Sequence, residues 1–67
     1  MPKVTDVMYE IEEHIDKMGL SNFLQIVASI CYEKSQHILE SYDDTSLAKS
    51  WDSDGTKIDN LASRIRN

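Results

Sequence analysis

Residues 21–65 read SNFLQIVASICYEKSQHILESYDDTSLAKSWDSDGTKIDNLASRI, and this stretch decides the fold. Within it Leu24, Ala28, Cys31, Ser35, Ile38 and Tyr42 recur at steps of four and three. Leu47, Trp51, Asp54, Ile58, Leu61 and Ile65 repeat the pattern. Such spacing keeps side chains on one face of a helix, so each set reads as a seam. The polar stretch Asp43-Asp44-Thr45-Ser46 separates the two and marks a turn. Folding there predicts a helical hairpin with Tyr42 opposite Leu47, Ile38 opposite Trp51 and Ser35 opposite Asp54. Cys31 then meets Ile58, Ala28 meets Leu61 and Leu24 meets Ile65. The one polar layer, Ser35 with Asp54, matches itself, and a buried polar layer of this kind sets helix register at a cost in stability. The competing reading sends Asp54 to water.

Upstream, a first helix is predicted from Asp6 to Met18, capped by Thr5 or Asp6, with acidic residues toward its positive end. Val4, Val7, Met8, Ile11, Ile15 and Met18 form its apolar stripe, and Gly19 stops it. Ser21 is expected to cap the second helix. The first half of that helix is apolar on nearly all sides, from Phe23 to Tyr32, and so needs two neighbours. The short Gly19-Leu20-Ser21 connection predicts that helix one folds back on helix two, with Met18 near Phe23, Ile15 near Ile26 and Ile11 near Ile30. The same local contacts would form if helix one packed on a second chain. Gly55 falls inside helix three, where glycine costs about 1 kcal/mol relative to alanine. Because the apolar phase survives it, helix three is read as continuous, with any bend at Gly55. The expected fold is all-α: one domain over residues 1–67, a small antiparallel three-helix bundle with a long helix 2–helix 3 hairpin, open to completion by homodimerisation.

Composition agrees with this class. With 40% hydrophobic and 28% charged residues the 67-residue chain is globular in character, and 2 glycines and 1 proline leave little punctuation for a many-stranded protein. A chain this short buries a modest core, a deficit that an oligomer relieves. The lone Cys31 rules out an intramolecular disulfide and a zinc site of several thiolates, and it suits a reducing cytoplasm. No signal-peptide pattern opens the chain and no apolar run reaches membrane-spanning length, so a soluble protein without a membrane partner is expected. The net charge of −5 divides into −3 over residues 1–20, −3 over 21–44 and +1 over 45–67. Without a basic face, nucleic acid is not an expected partner.

Motifs for chemistry are sparse. Glu10 precedes His14 by four residues, as Glu33 precedes His37, with Glu40 close behind. Bundle metal sites use a spacing of three plus further inward glutamates, so no metal or other cofactor is expected here. Asp52-x-Asp54-Gly55 resembles a fragment of a calcium loop, yet placing Gly55 sixth puts Ser50 first and Leu61 twelfth, which removes the first acid and the closing glutamate. Cys31 lies too deep in an apolar run to be activated. No Ser-His-Asp order, glycine-rich phosphate loop or CxxC motif is present, so no catalytic residue is assigned and the chain reads as non-enzymatic.

Three function classes remain. The leading one is a protein-interaction module that self-associates, as a dimer, or docks another protein. Its surface would be the Trp51, Tyr42, Leu47 and Ile38 end, which helix one is too short to cover, or the apolar edge of helix one. Alternatively, Trp51 closes the core. The second class is an acidic decoy or inhibitor that presents Asp6, Glu10, Glu12, Glu13, Asp16, Asp43 and Asp44 to a basic nucleic-acid-handling protein. The third is a metal-binding bundle using Glu33, His37 and Glu40.

Overall fold

The computed structural model describes residues 3–67. Three helices follow one another: α1 over Val4–Met18, α2 over Leu20–Tyr42 and α3 over Thr45–Ala62. The protein is all-α, a three-helix bundle built on the close α2–α3 hairpin that the periodicity predicts. The hairpin turns where expected. Asp43 adopts the left-handed conformation (φ 53°), which an aspartate tolerates better than most residues. Asp44 caps α3: its Oδ1 accepts from the Leu47 amide at 3.0 Å, one of the donors that a helix start leaves unsatisfied.

The seam between α2 and α3 is made of small residues. On α2 the buried side chains are Ala28, Cys31, Ser35 and Ile38, and on α3 the buried residues are Ala48, Gly55 and Ala62. Ser21, Ala28 and Ser35 stand seven residues apart on one helix, and Ala48, Gly55 and Ala62 stand seven apart on the other. Short side chains let the helices approach until serine hydroxyls reach the opposite backbone. Ser35 Oγ donates to the Ala48 carbonyl at 2.7 Å, and Ser21 Oγ donates to the Ala62 carbonyl at 2.7 Å. Gly55 lies midway between those two clamps. A β-carbon there would fall 2.9 Å from Tyr32 Cε1 and 3.1 Å from Cys31 Cβ. The glycine that propensity marks as a weak point in α3 is a point of close approach to α2, and the helix runs through it unbroken.

This arrangement corrects part of the predicted seam of α3: Trp51, Ile58 and Ile65 are half-buried as expected, while the alternate positions 47, 54 and 61 give way to 48, 55 and 62, a rotation of about half a residue. Ala48 and Ala62 are buried, while their predicted counterparts Leu47 and Leu61 are about half exposed. Asp54 is exposed, and Ser35 bonds to Ala48 instead of facing it. Counting hydropathy alone assigns the large apolar residues to the centre of the seam. Backbone proximity, dispersion contact along the full helix length and two hydroxyl-to-carbonyl bonds favour the small ones.

The place of α1 is the second correction. It packs on α2 far less closely than α3 does, and none of its residues is buried. Gly19, the single residue between the helices, has φ 88° and ψ 151°, a left-handed φ that disfavours any residue with a β-carbon. Its amide donates to the Ile15 carbonyl at 2.7 Å, and the Asn67 carbonyl accepts from the Ser21 amide at 2.6 Å. The C-terminal segment thus braces the corner, and Ser21 serves the hairpin rather than capping α2. The described residues span 37 × 34 × 13 Å. At about 1.5 Å per residue, α1 and α2 end to end would need roughly 57 Å. They fit only if α1 projects sideways, within a flat molecule one helix layer thick.

Candidate functional site

The corner at Gly19 has two apolar arms. On α1, Ile15 and Met18 are half-buried beside the corner, and the rest of the stripe is exposed: Ile11 38%, Met8 60%, Val7 39% and Val4 77%. The part of the stripe near α2 is the covered part, so the stripe faces the inside of the corner. On α2, Phe23 is half-buried, whereas Ile26 is 45% and Ile30 is 47% exposed. At 100° per residue these side chains stand about 110–175° round the helix from the Ala28, Cys31 and Ser35 line that α3 covers, on the flank and back of α2. The two arms form an open apolar elbow. Its α2 arm carries no charge from Leu20 to Tyr32. The outer face of α1 bears Asp6, Glu10, Glu12, Glu13 and Asp16, all exposed, with Lys17 paired to Glu13 at 3.2 Å.

A second uncovered apolar region accompanies the elbow, at the loop end of the hairpin. There Tyr42 is 72% and Leu47 47% exposed, Trp51 is half-buried, and Ile38 is withdrawn into the seam at 8%. Leu39, 44% exposed, lies on the other flank of the hairpin, where it lines a shallow hollow with Thr45, Lys49 and Asp52. The four residues expected to act together are therefore divided between surface and core. Tyr42 packs edge-on against His37 with ring centroids 6.1 Å apart.

Other candidates fall into place on the surface or in the seam. Glu33 and His37 border a shallow hollow on α2 with Ile30 and Lys34, and Glu40 accepts from Gln36 Nε2 at 3.2 Å. Among the described residues no three His, Cys, Asp or Glu side chains are grouped closely enough to hold a metal ion. Asp52, Asp54 and Gly55 lie within α3, not in a loop. Cys31 is a buried free thiol. No helix of the described residues is long and apolar enough to cross a membrane. Spacing places Ile26 and Ile30 in the core, and the structure leaves them outside it. Their true position is signalled in part by the surplus of apolar residues around the first half of α2, which one neighbouring helix cannot cover.

Comparison with known proteins finds no matching family model, no similar curated protein and no similar solved structure.

Proposed function

We propose that the protein is a small, non-enzymatic protein-interaction module that docks an amphipathic helix into the elbow between α1 and α2. The observation that carries this reading is the apolar exposure on both arms of the Gly19 corner. Val4, Val7, Met8 and Ile11 on α1 and Ile26 and Ile30 on α2 are all left exposed, and large apolar side chains gathered on adjoining helices mark an interaction site. The lone buried thiol suits action in a reducing cytoplasm. A photo-crosslinking amino acid placed at Met8 or Ile30 tests the site against the same group at Asp54 or Lys57 on the outer face of α3. Discrete polypeptide adducts from the first pair and not from the second are expected. Adducts from the α3 positions alone would overturn the reading.

The acidic-decoy reading has less support. Its residues are split between α1 at one end of α2 and Asp43 and Asp44 at the other, about 35 Å of helix away. Capture of a basic partner that weakens steeply with salt would favour it.

A further inference from the structure

We infer that the helix received by the elbow is α1 of a second copy of this chain, so that two copies interlock and each lays its α1 along the back of the other's α2. The inference rests on the elbow being a docking site and names its occupant.

Three observations lead to it. The first is area. A compact folded monomer of 7.7 kDa exposes about 4,300 Å², and this chain exposes 5432 Å². The excess, on the order of 1,000 Å², resembles what one partner of a stable complex buries, roughly 800 Å². The second is self-complementarity. The elbow offers an amphipathic helix and also the face of another helix that lacks one, so a two-fold axis satisfies both arms at once and leaves no open end for a chain of copies. The third is charge. With five acids against one lysine, α1 carries −4 over Val4–Met18, so two α1 helices side by side would repel. The α2 segment from Leu20 to Tyr32 is uncharged, and beyond it Glu33 and Lys34 beside Ile30 cancel each other, so α2 receives an acidic helix with far less of that penalty. Reciprocal α1-on-α2 packing is thus preferred over α1-on-α1.

The test uses the full chain and two variants, Ile11→Lys and Ile30→Glu, each at an exposed position and each checked for retained hairpin folding by thermal melting. Wild type is expected to be a dimer by light scattering, and each variant alone a monomer, with its dimer dissociation constant raised at least tenfold. An equimolar mixture of the two should form a heterodimer, because one of its two interfaces pairs the introduced lysine with the introduced glutamate and the other is wild type. A wild-type dimer whose variants are monomeric but not rescued by mixing would overturn reciprocal exchange. A dimer indifferent to both changes would place self-association at another surface and overturn the inference. A wild-type monomer at millimolar concentration would overturn the second copy as occupant, while elbow crosslinks to another polypeptide would leave the docking site standing.

Discussion

A β-carbon at Gly55 meets the Cys31 β-carbon at 3.1 Å, a backbone-proximal atom that cannot swing away. Gly55→Ala gains about 1 kcal/mol of helix propensity, but crowding a packed seam costs about 1–3 kcal/mol. The crowding should win. Circular dichroism melting is expected to show a lower midpoint for Gly55→Ala, against the usual gain for an exposed helical glycine. Asp54 behaves in the opposite way. Because it is exposed, Asp54→Ala should change stability by no more than about 0.5 kcal/mol. Ser35→Ala removes the bond to the Ala48 carbonyl at the buried seam and should cost about 1 kcal/mol in urea denaturation. If Asp54→Ala proved the costlier of the two, the observed seam would be wrong. A lone substitution thus reads out which face of α3 is inside.

At the scale of elements, the hairpin and α1 differ in what supports them. The α2–α3 pair has a buried seam, two hydroxyl clamps and a capped turn. α1 has no buried residue and no side-chain cap, and a helix of its 15 residues is marginal in water, since isolated helices need about 12–15 residues even in favourable sequences. A peptide of residues 3–18 is therefore expected to be mostly unfolded by far-ultraviolet circular dichroism. In the full chain, hydrogen exchange should be fast in α1 and slow in α2 when the protein is dilute, and α1 should gain protection as concentration rises. Equal protection of both helices in dilute solution would show that α1 has support within its own chain. The corner itself depends on Gly19. A side chain there would meet the Asn67 backbone at 3.1 Å with φ at 88°, so Gly19→Ala should lose about 1–3 kcal/mol of stability or redirect α1.

For the whole molecule, charge and apolar surface act in opposite directions. Two copies at −5 each repel at long range, and the elbow attracts at contact. Salt screens the first with a Debye length near 10 Å at 0.1 M and strengthens the second. Dimer affinity measured by sedimentation is accordingly expected to rise between low and moderate salt. A fall over the same range would point to ion pairs as the main attraction and favour a charged partner instead. The flat 37 × 34 × 13 Å outline gives the same account in shape. One layer of helices has two exposed faces, so the apolar side chains of α1 and those of α2 turned away from α3 are left uncovered within the chain.

The hairpin is legible in the sequence because three-and-four spacing is a local property of the chain, set by the helix repeat whatever lies opposite. Its turn at Asp43 and Asp44, the all-α class and the continuity of α3 through Gly55 follow from the same periodicity and from turn chemistry. The seam residues of α2 are legible too, since Ala28, Cys31, Ser35 and Ile38 keep that spacing without a break. Tertiary structure alone decided that Ala48, Gly55 and Ala62, and not Leu47, Asp54 and Leu61, complete the inner face of α3 beside Trp51 and Ile58. Ala48, Gly55 and Ala62 carry a weak hydropathy signal, and their advantage exists only when a second backbone comes close enough to be touched. It also decided the direction of α1. Gly19 permits a fold-back and a sideways corner equally well at the level of the chain, and the choice rests on the Asn67 carbonyl and the Ser21 amide, which the folded hairpin brings together from distant points in the sequence.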